Sequence, residues 1–197
     1  MIENGNPTMS LLKRVSTFTI AALMVVFMAA CSGGDKPPEP TPQPQGSGSK
    51  ISNPKDALSV ELCSLLPPEG ASAVGLDPAG EIDDGPKLSD DAAETCLWKS
   101  PDGHDSLRFS VLTDRSIKDY HDNKSQYSDY QELTIGGYPA VRANKADPAQ
   151  SGSCSIFLAV ADRQVVHAYA AQASITDPCA ISQKALESSV PTLPAAK

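Results

Sequence analysis

Aromatic side chains are scarce in this chain: one Trp, five Tyr and four Phe, 5% of 197 residues. A core built from it has to rest on Leu, Val, Ala and Ile. Basic residues are also few, 16 Lys and Arg against 24 Asp and Glu, for a formal charge of −8. An acidic chain without a basic patch is a poor nucleic-acid binder and has no electrostatic hold on anionic lipid headgroups. No two cysteines have the Cys-x-x-Cys spacing of a zinc site, and no two histidines have the i, i+4 spacing of a helical metal site. A Gly-x-Ser-x-Gly nucleophile elbow is missing too. The nearest segment, Ser151-Gly152-Ser153-Cys154-Ser155, has the wrong order and reads as a loop entering a strand. These gaps leave no expected catalytic residue, metal ligand or cofactor site. Finally, the longest apolar run, Val15 to Ala30, is 16 residues, short of the ~20 that span a bilayer.

That run is the most informative segment present. Lys13 and Arg14 precede it, the small residues Ala29 and Ala30 close it, and Ser32-Gly33-Gly34 opens a polar stretch. A basic end, a short apolar centre and small residues at its close describe a secretory signal over residues 1–30. Met9 suits such a basic end better than Met1 as a start, since Met1 to Pro7 carries Glu3. Met28-Ala29-Ala30-Cys31 resembles a bacterial lipobox, with Met where Leu is usual. The resemblance implies cleavage between Ala30 and Cys31, acylation of Cys31, and anchoring on the extracytoplasmic face of the cell membrane. An ordinary cleaved signal and an uncleaved anchor helix are the competing readings, and Ser16, Thr17 and Thr19 dilute the second.

Residues 31–54 read as the lipidated cysteine and a linker. Pro37, Pro38, Pro40, Pro42 and Pro44 lead into Gly46-Ser47-Gly48-Ser49. In polyproline II, at ~3.1 Å per residue, residues 32–50 reach roughly 50–60 Å, enough to lift a domain off a membrane. Removing Glu3, Lys13 and Arg14 with the leader moves the formal charge from −8 to −9, so lipid, in two chains or more, must hold the protein to the bilayer.

Residues 55–197 suffice for a single domain. They contain Cys63, Cys96, Cys154 and Cys179, an even number that in an exported chain reads as a disulfide framework, with three pairings open. Ser59 to Gly75 has a short helical pattern broken at Pro67-Pro68, where a second helical turn can open. Residues 77–93 read as a long acidic loop. Thr95 to Lys99 and Leu107 to Val111 alternate about the turn sequence Ser100-Pro101-Asp102-Gly103 and predict a hairpin. Ile117 and Tyr120 mark a short helix starting near Asp114 or Ser116. Leu133 to Ile135 and Tyr138 to Ala143 flank Gly136-Gly137, a second hairpin, with Pro139 at an edge or strand start. Cys154, Ile156, Leu158 and Val160 share one face, with Val165, His167, Tyr169 and Ala171 expected across from them after a turn at Ala161 to Gln164. Asp177-Pro178 caps a closing helix, with Ile181, Ala185 and Val190 on its apolar side. The layout predicts an α+β fold: an antiparallel sheet of about six strands with helices packed on one face.

Leu62-Cys63-Ser64-Leu65-Leu66, Cys96-Leu97-Trp98, Ile135-Gly136-Gly137-Tyr138-Pro139-Ala140, Ser153-Cys154 and Asp177-Pro178-Cys179 occur in an order that resembles a family of actinobacterial lipoproteins known only as a domain of unknown function. The resemblance covers nearly all of 55–195. One departure is Glu61-Leu62-Cys63, where an Asp-Pro-Cys context is usual. The resemblance implies a location and disulfides, and brings no activity and no catalytic residues. In element order the layout is also similar to the PsbP and Mog-like sandwich. On this layout Cys63–Cys96 is expected to tie the opening helix to the strand bearing Trp98, and Cys154–Cys179 to tie a late strand to the closing helix.

Other candidates have plain readings. His104, between Asp102 and Asp105, is expected to be solvated; His121, in a polar helix, exposed; His167, a satisfied sheet histidine. Residues 81–91 have carboxylates that suit calcium but lack the EF-hand spacing. Asn123-Lys124-Ser125 fits a glycosylation sequon, and Trp98 reads as a core residue covering a disulfide. The expected function is a non-enzymatic envelope lipoprotein that binds a protein or envelope partner and no nucleic acid. A small-molecule or lipid carrier with a cleft between helices and sheet is the alternative, and an enzyme with a dispersed site comes third. Cys31→Ala is expected to leave the protein unacylated and poorly processed, and globomycin to make the lipidated precursor accumulate. Normal processing under the drug, with no lipid mass on the mature N-terminus, overturns the lipoprotein reading.

Overall fold

The computed structural model describes residues 51–85, 93–172 and 177–197. Ala30, Cys31, the linker up to residue 50, and Asp90 and Asp91 lie outside them. Seven antiparallel strands form one sheet: β1 (Glu81–Ile82), β2 (Cys96–Lys99), β3 (Asp105–Leu112), β4 (Asp129–Ile135), β5 (Tyr138–Asn144), β6 (Ser153–Ala161) and β7 (Gln164–Gln172). Their order across the sheet is β1-β2-β3-β7-β6-β5-β4. The helices are α1 (Pro68–Ala73), α2 (Ile117–Asp122), α3 (Pro148–Ser151) and α4 (Pro178–Ser189), with short 3-10 turns at Ala57–Ser59 and Leu62–Ser64.

Turn chemistry sets the hairpins. Gly136 and Gly137 have φ of 57° and 87°, the pair of left-handed residues that a two-residue primed turn requires. Gly136 also packs closely, since a Cβ there would lie 2.8 Å from Val190 Cγ1. Pro139 sits opposite Thr134 while pairing of β5 with β6 begins at Ala140, so its missing N–H forfeits no ladder bond. The Asp177 carboxylate accepts from the N–H groups of Cys179 and Ala180, and Pro178 opens α4.

The core lies between α4 with the N-terminal segments on one side and one sheet face on the other. Cys154, Ile156, Leu158 and Val160 of β6 are buried there beside Val166, Ala168 and Ala170 of β7. The two β7 alanines leave room for Ile181, Ala185 and Leu186 of α4 to approach the sheet. Ser182 Oγ donates to the Cys154 carbonyl at 3.1 Å. Further along, Trp98 and Phe109 pack edge to face at 5.5 Å. Disulfides join Cys63 to Cys96 and Cys154 to Cys179. The chain enters and leaves side by side: Lys55 bridges Ala195, the Lys55 N–H donates to the Val160 carbonyl, and Ala196 N–H to that of Pro54.

Three features differ from the sequence reading. The seventh strand, β1, comes from the stretch read as an acidic loop. Gly80 presses on the indole, where a Cβ would fall 2.5 Å from Trp98 Cε2, and Glu81 and Asp83 pair with Lys99 and Arg108; two residues are too few to show a period. Second, α2 packs on the face opposite α4, where Tyr120 meets Val141, Ala143 and Phe157. Third, an irregularity in β6 between Ala159 and Ala161, just before the Ala161–Gln164 pair that closes the turn, shifts the β6–β7 register by one residue. Val165, His167, Tyr169 and Ala171 therefore align with Ala159, Phe157, Ser155 and Ser153, respectively, on the second face, because a one-residue slip exchanges faces.

The two disulfides close loops of 33 and 25 residues, for which the chain-entropy model gives about 3–4 kcal/mol each. Non-reducing peptide mapping of exported protein is expected to return the Cys63–Cys96 and Cys154–Cys179 peptides, and reduction to lower the melting temperature sharply. Cys63 joined to Cys154 or Cys179 overturns the assignment.

Candidate functional site

Among the described residues, the face turned away from α4 carries most of the aromatic and imidazole rings. Alternation along the strands places Ser155 and Phe157 (β6), Val165, His167 and Tyr169 (β7), Arg108 and Ser110 (β3) and Tyr130 and Glu132 (β4) there. α2 lies over one end of it. Its start is fixed by a capping box, in which the Ser116 side chain accepts from the Asp119 N–H and the Asp119 carboxylate from the Ser116 N–H. After α2, a 3-10 turn at Lys124–Gln126 delivers Tyr127.

Seven rings form a continuous ladder across this face. Tyr169 lies 6.5 Å from His167, His167 stacks on Phe157 at 4.3 Å and 8°, and Phe157 stacks on Tyr120 at 4.2 Å. Tyr120 leads to Tyr127 at 6.3 Å, Tyr127 to Tyr130 at 6.3 Å, and Tyr130 to His121 at 6.2 Å. Of the eight Trp, Tyr and Phe residues after Ala30, five are here; Trp98, Phe109 and Tyr138 serve the main core. Tyr120 is a packing residue, since it is buried under α2 with Val141 and Ala143. Tyr127, Tyr130, Phe157, His167 and Tyr169 stay partly exposed, which a purely structural cluster does not require.

Polar groups hold the ladder at both ends. His167 Nε2 is 3.1 Å from Ser155 Oγ. The Ser155 N–H donates to Asn144 Oδ1 at 2.7 Å, Asn144 Nδ2 to Asp129 Oδ2 at 2.8 Å, and Arg142 Nη2 to Asp129 Oδ1 at 2.6 Å. At the other end His121 Nδ1 lies 2.6 Å from Tyr130 Oη and 3.1 Å from Glu132 Oε1. Burial pushes the His167 imidazole down to about 4, and the Arg115 charge adds to this. Burial, with help from Glu132 and Tyr127, pushes the Tyr130 phenol up to about 12. Beyond the ladder, the hydrogen bond from Arg108 Nε holds Asp83 below the usual carboxylate range.

Ser155 and His167 form a hydroxyl–imidazole pair, yet a nucleophile also needs a group orienting the imidazole. Among the described residues no hydrogen bond at His167 Nδ1 supplies one.

The sequence candidates fall as follows. His104 is exposed, and His167 is a bonded sheet histidine. His121 departs from its expected exposure: its side chain is 10% accessible, because α2 lies against the sheet. Trp98 is fully buried against the first disulfide. Asn123 Nδ2 donates to the Asp119 carbonyl and helps end α2. The carboxylates of Glu81 and Asp83 are engaged by Lys99 and Arg108, and among the described residues no group of three or more His, Cys, Asp or Glu is placed to hold a metal. The space between α4 and the sheet is filled, with Leu65, Trp98, Phe109, Ile156, Leu158 and Leu186 at most 1% exposed. The described residues form shallow surface hollows of about 460 Å³ beside Ile51, Leu58 and Arg163 and about 380 Å³ beside Cys63, Pro67 and Gly80. Sequence reasoning did not single out Tyr127, Tyr130, Phe157 or Tyr169 as site residues. The available signal was Phe157 and His167, each alternating against core residues on either side of one turn.

Because the His167 pKa is depressed from 6.5 to about 4, the unfolded chain binds the proton first. The stabilisation is complete above about pH 6.5 and is lost as pH falls towards 4. The ring is partly exposed, so a loss on the order of 2 kcal/mol is expected. Urea unfolding at pH 7 and pH 4.5 checks it: His167→Gln is expected to flatten the difference, and an unchanged slope contradicts it.

No curated protein matches the sequence. The profile of the family described as "Protein of unknown function (DUF3558)" matches residues 26–192, a span that includes the lipobox-like segment, both disulfides and every ring of the ladder. The chain belongs to the DUF3558 family.

Proposed function

We propose that this protein is a lipid-anchored module of the cell envelope, held by Cys31 on the extracytoplasmic face of the membrane, that binds a partner protein through the ring ladder. The observation carrying this reading is the ladder itself. A chain with 5% aromatic residues places five of them, partly exposed for the most part, on one sheet face. Tyr and other aromatic residues are enriched at protein interfaces, where they supply large rigid contact area at little entropic cost. The two disulfides suit an oxidising compartment, and the proline-rich linker suits a domain held clear of a bilayer. Binding without catalysis is favoured by rings that bond mainly to one another and to fixed polar partners.

A photo-reactive phenylalanine analogue placed at Tyr127 or Tyr169 in intact cells is expected to give a discrete protein adduct, which Cys31→Ala should diminish. The same analogue at Lys184, on the exposed side of α4, serves as the control. Equal labelling from Lys184, or none from either ladder position, sinks the proposal.

A further inference from the structure

We infer that the outer edge of β4 accepts an extended, lysine- or arginine-bearing segment of another protein as an added strand. The sheet ends at β4, whose pairing in the ladder is with β5. In a hairpin with a two-residue turn the closing pair, here Ile135 and Tyr138, is hydrogen-bonded, and bonded pairs then recur at every second position. Leu133, Gln131 and Asp129 thus direct their backbone groups towards β5. Tyr130, Glu132 and Thr134 direct theirs outward. Only another extended backbone can match that row of alternating N–H and C=O groups.

Edges that must stay unpaired are usually short, bulged, or studded with lysine or proline. The opposite edge fits this description: β1 has two residues, and Glu81 is ion-paired with Lys99. β4 has seven residues paired with β5 without a register shift, and it contains neither Pro nor Lys. Its outward positions carry Tyr130, Glu132 and Thr134 side chains on the same sheet face as the ladder, so an added strand would lie beside the rings.

Charge selects the occupant. A second copy pairing antiparallel with greatest overlap centres on Glu132 and sets that carboxylate against its own counterpart, and like charges directly opposed are unfavourable. A segment with a cation at that position meets Glu132, whose side chain is 38% accessible, and lies within reach of the Tyr130 ring. The chain's formal charge of −8 favours the same partner. This inference stands on backbone geometry and charge, and holds whether or not the ladder itself binds.

The test uses the full chain and a capped ten-residue peptide alternating Lys with Val and Thr, followed by amide hydrogen exchange. Added protection is expected at Tyr130, Glu132 and Thr134 and not at the intervening amides. Replacing Lys with Glu in the probe, or making Glu132→Lys, should weaken binding up to about fivefold, the size of one cross-strand charge pair. Thr134→Pro removes one outward donor and should weaken it up to about tenfold, with peptide mapping showing both disulfides retained. Absent or evenly spread protection, indifference to Thr134→Pro, or equal binding of the glutamate probe overturns the inference. So does a concentration-dependent dimer that Thr134→Pro abolishes, which identifies a second copy as the occupant.

Discussion

The seating of α4 on β6 and β7 is the contact that organises this domain. It depends on small residues: Ala168 and Ala170 keep β7 low, so Ala185 and Leu186 can reach the sheet without large rings between them. Asp177 fixes where the helix begins, and the Cys154–Cys179 bond fastens that beginning to the start of β6. With the helix held there, the even-numbered positions of β6 and β7 are committed to the core. The odd-numbered positions are then committed to the opposite face, since side chains alternate along a strand.

That division explains how a ring-poor chain can concentrate its rings. The main core gains its volume from Leu, Ile, Val and Ala, with Trp98 and Phe109 at one side under the first disulfide. Its demand for aromatic volume is small. The rings of the ladder sit where, among the described residues, the sheet is covered at one end by the six residues of α2. Their partial exposure follows from how little of that face α2 covers, while the hydrogen bonds to Ser155 and between His121, Tyr130 and Glu132 fix their orientation.

Much of the fold was legible because its signals are local. Gly136-Gly137 dictates a turn, Asp177-Pro178 a helix start, and the alternation from Cys154 to Val160 a strand with a buried face. What was illegible depends on distant partners. β1 exists because Gly80 fits against Trp98 and because two carboxylates find Lys99 and Arg108, none of which a two-residue pattern reveals. The side on which α2 docks was equally hidden, since Ile117 and Tyr120 define an apolar stripe but not the surface it meets. The ring ladder depends on a further distant feature: it needs α2 on the second face and the β6–β7 register set by the irregularity between Ala159 and Ala161, and neither is marked in the local pattern.

The pairing of the entering and leaving chain has a mechanical consequence. Lys55 is bonded to Val160, and its neighbours Pro54 and Asp56 to Ala196 and Pro194. A pull arriving from the N-terminal side is therefore taken up first by backbone bonds at one end of β6 and the last residues of the chain. Tension applied there loads that seam before it reaches α2 or the rings beyond it.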